Sequence, residues 1–416
     1  MGNEFWLYIE PYTFISEDKS FYLFYNTKDL ISKSVQKSES IIPLIQGLMN
    51  VDNLYSVRLT TQMLQNKQVF DCVKMIQQYG FGDLAESSNE KPVLMPPILN
   101  LQHSVERYKQ HNVSLGEDAL SYLHEVILYV TGACGLNCLF CKSEYKQHRC
   151  CTQNDNYLPW DHLKSFLSSL KMVHPRIIIT GGNIFLYPNF KDLSAFFKST
   201  GIPCTIAIHW TNLFNGIHYL NELDFGLFQI QIFVNGPYEI DQLCSLSKLM
   251  IQYKITICWE ISVTSLIEYE KALCLSKHLH TDNIVIKPLY TGLNRKFFEE
   301  HVFMDLEDLD TIHLQRQEIF ALQTMNLNDF GKLIIKSDGY VYTNVNKEPI
   351  GKIGESIKEI VVNALKDDSS WRQTRHNVIP CKKCRFSLIC PSLSDYEYVL
   401  GKANLCHIVN DEKNEY

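Results

Sequence analysis

The sequence has no uninterrupted apolar run that approaches the roughly 20 residues needed to span a lipid bilayer, so we expect no membrane anchor. It has no excess of positive charge either: 39 Lys and Arg against 46 Asp and Glu leave a net charge of -7. Because charges of both signs are spread along the chain, we expect no nucleic-acid-binding patch. Near the start, Glu10 and Pro11 interrupt the string FWLYIEPY, which therefore does not resemble a secretory signal.

The 14 cysteines are not spread along the chain as the partners of a disulfide framework would be, and several lie in groups at short spacings. Such groups in a long chain favour metal ligation in a reducing environment. We therefore expect a cytoplasmic protein. With 416 residues, of which 45% are hydrophobic, the chain can form two or three domains with cores of their own.

Residues 1–85 are expected to form a small α+β unit. FWLYIEPYTF and SFYLFYNT predict strands that form a hairpin through the polar turn SEDKS. SESIIPLIQGLMN and NKQVFDCVKMIQQYG predict amphipathic helices, with the strand YSVRLT between them. Residues 86–117 are polar and contain a proline pair, which is typical of a linker.

Residues 118–300 alternate between strands and helices. The strand segments are YLHEVILYV, RIIIT, CTIAIHW, FGLFQIQIFV, ITICWEISV and NIVIKPLY. This succession of βα units predicts an α/β fold with a parallel sheet, curled into a partial (βα)6 barrel of the TIM type. Such a barrel places its functional loops at the C-terminal ends of its strands.

Residues 301–416 form the last predicted domain. KLIIKSDGYVYTN predicts a hairpin that turns at Asp338 and Gly339, and IGESIKEIVVNAL predicts a helix. A cysteine-rich segment follows, with Cys381, Cys384, Cys390 and Cys406. Four thiolates can ligate a closed iron–sulfur cluster, and they also suit a structural zinc ion.

The first barrel strand leads into the string CGLNCLFC, which contains Cys134, Cys138 and Cys141. An iron–sulfur cubane normally takes four cysteine ligands, so three thiolates in one short loop leave one iron open to another ligand. Phe140 offers an aromatic face beside that position. Zinc is the alternative, although it prefers a closed site of four ligands.

The second strand ends in Thr180, Gly181 and Gly182, followed by Asn183. Two glycines after an apolar strand allow the backbone to approach a bound ligand closely. A turn with only a structural role is the alternative.

The third strand ends in IAIHWTN, which places His209 and Asn212 at the same edge of the predicted sheet. We expect His209 to be a packed barrel residue rather than a base. Glu260 and Lys287 are polar residues inside later apolar strands. They either face the barrel interior and contact a ligand or form a salt bridge within the core.

The C-x3-C-x2-C loop, with an aromatic residue before its third cysteine, resembles the radical S-adenosylmethionine (SAM) family. The resemblance implies a [4Fe-4S] cluster on the three loop cysteines and SAM on its open iron. It also implies SAM-binding positions, which in this sequence are Phe140, Gly181, Gly182, Asn183 and Asn212. That family carries a glutamate where this chain has Asn183, so weaker binding of the SAM amino group is expected, because charge-assisted hydrogen bonds are the stronger ones.

The C-terminal segment resembles a reduced form of the SPASM/twitch domain of radical SAM peptide maturases, which usually has seven cysteines and two auxiliary clusters. Ser394 stands where one further cysteine is expected, and another is missing near Asn344. The resemblance therefore implies one auxiliary [4Fe-4S] cluster, held by Cys381, Cys384, Cys390 and Cys406. Residues 1–85 resemble the winged-helix element that captures a leader peptide by β-augmentation.

These resemblances imply an oxidoreductase that matures a ribosomally synthesised precursor peptide, by cross-linking or a related C–H functionalisation, with an electron donor such as flavodoxin or ferredoxin. Two alternatives stay open. One is a catalytically weak or inactive homologue that presents peptide to a partner enzyme. The other is modification of a folded protein, as in sulfatase maturation. The sequence identifies no general base, no peptide and no bond formed.

Overall fold

The computed structural model describes residues 4–87, 90–93, 110, 119–136, 147, 154–223, 227–279, 281, 283–366 and 368–408. The strands are β1 Glu4–Ile9, β2 Thr13–Glu17, β3 Phe21–Asn26, β4 Ile31–Gln36, β5 Ser56–Thr60, β6 Gly82–Glu86, β7 Glu125–Thr131, β8 Arg176–Gly181, β9 Cys204–His209, β10 Phe228–Val234, β11 Ile257–Val263, β12 Ile284–Pro288, β13 Lys332–Ile335, β14 Tyr340–Tyr342 and β15 Gly351–Lys352. The helices are α1 Ile41–Met49, α2 Thr61–Leu64, α3 Lys67–Gln78, α4 Trp160–Ser169, α5 Phe190–Thr200, α6 Trp210–Asn215, α7 Ile240–Gln252, α8 Leu266–Leu279, α9 Arg295–His301, α10 Leu306–Asp310, α11 Arg316–Thr324, α12 Ile357–Ala364 and α13 Asp395–Leu400.

The N-terminal unit contains two three-stranded antiparallel sheets, ordered β5-β1-β6 and β2-β3-β4. The predicted hairpin is confirmed as β2 and β3, and Asp18 closes its turn by accepting hydrogen bonds from the backbone N–H groups of Ser20 and Phe21, each at 2.8 Å. Both predicted helices and the strand YSVRLT are present. The string FWLYIEPYTF, however, forms β1 and β2, which belong to different sheets, and β4 and β6 have no counterpart in the prediction.

The central sheet has nine strands in the order β12-β11-β10-β9-β8-β7-β13-β14-β15, and β7 to β12 are parallel. The predicted succession of six βα units is confirmed, while closure into a barrel remains a prediction. Side chains alternate between the two faces of the sheet: Val126 and Leu128 join the main core under the helices, and Ile127 and Tyr129 join a smaller cluster on the other face.

The C-terminal region contributes to the same sheet. β13 pairs in parallel with β7, and β14 and β15 extend the sheet in antiparallel fashion. The predicted turn is confirmed, with Gly339 at a φ of +87° and its N–H bonded to the Lys336 carbonyl at 2.8 Å. Strands before and after residue 300 therefore belong to one sheet.

The sheet β2-β3-β4 packs against the cysteine-rich segment. An apolar cluster joins Phe14 and Leu23 of the sheet to Phe386 and Ile389. Arg385 pairs with Asp18 at 2.5 Å, and the Ser16 hydroxyl donates to the Arg385 carbonyl. The N-terminal unit therefore rests directly on the chain segment that carries the C-terminal cysteines.

Among the described residues, no helix combines the length and the apolar character needed to cross a membrane.

Candidate active site

Cys134 lies at the C-terminal edge of the central sheet. The last residue of β7 is Thr131, and its hydroxyl accepts a hydrogen bond from the Ala133 N–H at 3.1 Å, which turns the chain into the cysteine loop. Asn212 lies in helix α6, just after β9, which is two strands away from β7 in the sheet. It is 4% exposed and donates from Nδ2 to the Cys134 sulfur at 3.5 Å. The structure thus brings together one predicted ligand and one predicted cofactor-binding residue. Cys138, Cys141 and Phe140 lie outside the described residues.

Gly181 and Gly182 support the start of the cysteine loop. The Gly182 N–H donates to the Thr131 carbonyl at 2.8 Å, and the Asn183 N–H donates to the Ala133 carbonyl at 2.7 Å. A Cβ added to Gly181 would lie 2.2 Å from the Thr131 carbonyl oxygen, and Gly181 has a φ of +133°. The close backbone approach that these glycines permit is therefore to the chain's own loop, and their contact with SAM stays a prediction.

Gly182→Ala is expected to displace the cysteine loop, because its Cβ would lie 2.0 Å from the Ala133 carbonyl oxygen. We expect the reconstituted variant to lose the iron of the N-terminal site and to retain that of the C-terminal site. Iron analysis and electron paramagnetic resonance (EPR) measure this. Gly135→Ala is the matched control, since its Cβ meets no described heavy atom within 4 Å. Full iron loading of the Gly182 variant would contradict the prediction.

Asn183 has a local structural role. Its side-chain oxygen accepts a hydrogen bond from the Phe185 N–H at 3.2 Å and so caps the short 3-10 turn Ile184–Leu186. The side chain carries no charge, so its oxygen offers a ligand ammonium only a neutral hydrogen bond. Its cap of the 3-10 turn is a structural role that an amide can fill.

His209 is half-buried, and its ring holds two contacts. Nδ1 accepts from the Thr211 N–H at 3.2 Å, and Nε2 lies 3.5 Å from the Asn235 carbonyl. Burial lowers the pKa of His209 to about 4, so its ring is neutral at neutral pH with its proton on Nε2. This agrees with the expectation of a packed residue rather than a base.

Glu260 and Lys287 form a salt bridge on the face of β11 and β12 that carries the smaller apolar cluster, away from the helices. Lys287 Nζ lies 2.8 Å from Glu260 Oε2, and Gln231 Nε2 donates to the same oxygen at 2.7 Å. The Glu260 side chain is 4% exposed, whereas the Lys287 side chain is 43% exposed. The salt-bridge alternative is thus realised, but it leaves an ammonium group at an accessible position. The sequence analysis did not single out Gln231. Its signal is the alternation of glutamine with apolar residues in the strand FQIQIFV.

Gln147 ties the connection after the cysteine loop to the far edge of the parallel strands. Its side chain donates to the Tyr290 carbonyl at 2.8 Å and accepts from the Tyr290 N–H at 2.9 Å. Tyr290 lies just beyond β12, the edge strand of the sheet. No sequence signal singles out this glutamine, because its partner is 143 residues away.

Four C-terminal cysteines line one cavity, and a shared metal site on them stays a prediction: Cys381, Cys384, Cys390 and Cys406. Short 3-10 turns carry the first two, and a backbone pairing with Met304 holds the segment of the last. Burial raises the pKa of Cys384 to about 11 and that of Cys390 to about 12, so these thiols must release protons when a metal binds. The soft, all-thiol donor set fits an iron–sulfur cluster. Among the described residues, no group of three or more Cys, His, Asp or Glu is arranged so that it could hold a metal ion. An iron–sulfur cluster on these four cysteines therefore stays a prediction.

Ser394 and Asn344, which stand in place of expected cysteines, have other roles. Ser394 caps helix α13 in a reciprocal hydrogen-bonded arrangement with Glu397. Asn344 is 3% exposed and donates from Nδ2 to both Asp329 oxygens, at 3.0 and 3.2 Å, and to Asp395 at 2.8 Å. A polar hydrogen-bonded network therefore occupies this region.

Asp329 is expected to make stability depend on pH. Burial, and next the charge of Asp395, raise its pKa to about 7 against the opposing effects of Lys332 and Asn344. Since an unfolded aspartate titrates near 3.9, the native state holds a proton between about pH 4 and 7 that the unfolded state has released. The free energy of unfolding therefore falls as pH rises through this window.

Asp329→Asn should flatten that slope, as measured by thermal unfolding of the reconstituted protein between pH 5 and 8. Asp310→Asn changes an exposed aspartate and should leave the slope unaltered. An equal slope in wild type and Asp329→Asn would show that Asp329 is not the responsible group.

No family model matches the chain, and no curated protein matches it. Among solved structures, the chain is similar to Streptococcus suis SuiB bound to S-adenosylmethionine, with 14% identity, a TM-score of 0.41, and coverage of 92% of this chain and 94% of that chain. A second structure of Streptococcus suis SuiB has 12% identity and a TM-score of 0.44 at the same coverage. TM-scores in this range, at this identity, do not establish a common fold.

Proposed function

We propose that this chain is a radical SAM enzyme that modifies a ribosomally synthesised precursor peptide. The observation that carries the proposal is the position of Cys134. It opens a C-x3-C-x2-C loop at the C-terminal edge of a parallel sheet, on a glycine pair and beside the Asn212 amide. Active sites of βα-repeat folds lie at this edge.

Cys134, Cys138 and Cys141 would hold a [4Fe-4S] cluster. With SAM bound, such a cluster would, once reduced, supply the electron for cleavage of SAM to a 5′-deoxyadenosyl radical. Asn212 orients the Cys134 thiolate through its Nδ2–H. Gly181 and Gly182 fix the position of the cysteine loop at the edge of the sheet.

The face of the sheet away from the helices would orient the substrates. His209 stays neutral and can donate only from Nε2. Glu260 and Gln231 hold the Lys287 ammonium in place, where it can attract a carboxylate of SAM or of a peptide. Electron donation by flavodoxin or ferredoxin and a cytoplasmic location belong to the same proposal.

The N-terminal unit would bind the peptide. Strand β4 is the outer strand of its sheet, no described strand pairs with its other edge, and Lys33 and Ser34 are exposed. Such an edge can accept an extended peptide by backbone hydrogen bonding. A cap that only packs on the cysteine-rich segment is the alternative use of this unit. Binding of labelled peptides, encoded by short reading frames beside the gene, to wild type and to a β4 proline variant (Lys33→Pro) distinguishes the two uses.

The enzymatic part is tested by anaerobic reconstitution followed by an assay for 5′-deoxyadenosine from SAM and dithionite, with and without those peptides. Formation of 5′-deoxyadenosine is the expected result. Full iron loading without any 5′-deoxyadenosine would overturn it.

That negative result would favour a second candidate, a homologue that presents peptide to a partner enzyme. The observation in its favour is Asn183, an uncharged residue whose oxygen caps a 3-10 turn. Product formation from a folded sulfatase, without peptide binding by residues 1–85, would instead favour protein maturation.

A further inference from the structure

Arg375 is a buried cation beside the C-terminal cysteine cavity. It lies on the 3-10 turn Arg375–Asn377 and is 5% exposed. Nη1 donates to the Cys381 sulfur at 3.8 Å and to the Ala403 carbonyl at 3.1 Å. Nε donates to the Pro391 carbonyl at 2.8 Å. The guanidinium thus contacts Cys381 directly and the backbone carbonyl of Pro391, the residue that follows Cys390.

One carboxylate balances this charge. Glu397 Oε1 lies 2.5 Å from Arg375 Nη2, and both side chains are almost fully buried, at 3% and 6% exposure. Glu397 is fixed in turn by Ser394, whose N–H and hydroxyl donate to Oε2 at 2.8 and 2.5 Å. The guanidinium is therefore held rigidly with its Nη1 directed to the sulfur and its Nη2 directed to the carboxylate.

Burial strengthens the action of this charge on the nearby sulfur, while the paired Glu397 carboxylate offsets part of it. An arginine stays protonated in proteins, and charges shielded from water interact more strongly than exposed ones. Reduction adds an electron to an iron–sulfur cluster, and its potential depends on net charge and on hydrogen bonds to its sulfurs. The Arg375 guanidinium brings both a positive charge and a hydrogen bond to a ligand sulfur, and each of these favours the reduced cluster.

We infer that Arg375 raises the reduction potential of the cluster held by Cys381, Cys384, Cys390 and Cys406, as a positioning residue that acts through Cys381. This rests on the proposed function only in that the site holds an iron–sulfur cluster. In the proposed reaction, such a cluster would accept the electron left after bond formation on the peptide, and Arg375 would favour that acceptance.

The experiment is a redox titration of the reconstituted full-length protein, followed by EPR. Arg375→Gln should lower the ratio of reduced to oxidised C-terminal cluster at least about tenfold at a fixed potential, equivalent to ~59 mV for one electron. Arg375→Lys keeps the positive charge but lacks the planar guanidinium, so it should lower the ratio of reduced to oxidised cluster less than Arg375→Gln does. The N-terminal cluster is the internal reference and should not shift.

Arg372→Gln is the matched control, because Arg372 donates only to the carbonyls of Leu365 and Thr324 in the described contacts. Should Arg375→Gln fail to fold, the double variant Arg375→Gln/Glu397→Gln removes both buried charges and keeps a capping side chain. Its potential should still fall, since the variant removes the hydrogen bond that Arg375 donates to the Cys381 sulfur.

An unchanged potential in fully loaded Arg375→Gln, or in the double variant, overturns the inference and leaves the proposed function standing. Zinc instead of iron at this site in wild type also overturns it, while 5′-deoxyadenosine formation reports separately on the N-terminal site. If the wild type forms no 5′-deoxyadenosine while Arg375→Gln shows the expected potential shift, only the proposed function is overturned.

Discussion

Cys134→Ala is expected to abolish 5′-deoxyadenosine formation. The variant removes one of three thiolates, and two cannot hold a cubane with an open iron. Iron content should fall from about eight to about four atoms per chain, with the remainder at the C-terminal site. The measurements are iron analysis, EPR of the reduced protein and chromatographic detection of 5′-deoxyadenosine.

Cys274→Ala is the matched control for this result. Cys274 is exposed on α8 and hydrogen bonds locally with His278, far along the chain from both cysteine groups. It should retain full iron and full activity. Undiminished 5′-deoxyadenosine formation by Cys134→Ala would show that the loop does not hold the reactive cluster.

Glu397→Ala should strongly destabilise the C-terminal region. It leaves the Arg375 guanidinium buried without its carboxylate, a defect that typically costs about 3–5 kcal/mol. It also removes the partner of Ser394 in the cap of α13, which adds roughly 1 kcal/mol. Urea unfolding followed by circular dichroism should show a lower midpoint, and iron analysis should show loss of the C-terminal cluster.

Glu359→Ala tests the same substitution at the third position of α12, where the side chain is exposed. It should shift the midpoint little. Arg375→Gln/Glu397→Gln should recover most of the stability, because it leaves no unpaired buried charge. If the double variant were as unstable as Glu397→Ala, the loss would come from packing and not from charge.

The secondary structure was largely predictable because its signals are local. Aromatic-rich runs identified the strands of the hairpin β2–β3, apolar runs identified β7 to β12, and Asp338 with Gly339 marked the hairpin turn of β13 and β14. Strands β4 and β6 were missed because their sequences are polar or short. Their pairing with β3 and β1, and not their own composition, makes them strands.

The candidate site divides in the same way. The spacing of Cys134, Cys138 and Cys141 is a local property, and the C-terminal edge of parallel strands explains why Asn212, 78 residues away, reaches Cys134. Nothing in the sequence around Arg375 indicated a role at the cysteine site. That role arises only because three separate chain segments fold around its guanidinium.

By itself, the sequence determined the two cysteine groups, the order of the strands and helices, and the absence of a charged ligand at Asn183. Ligand spacing and periodicity are properties of neighbouring residues, so folding is not needed to see them. The tertiary structure decided that Gly181 and Gly182 carry the cysteine loop, that Glu260 pairs with Lys287, and that Arg375 faces Cys381. Each of these depends on burial and on contacts between residues distant in the chain, which arise only when the sheet and the C-terminal turns come together.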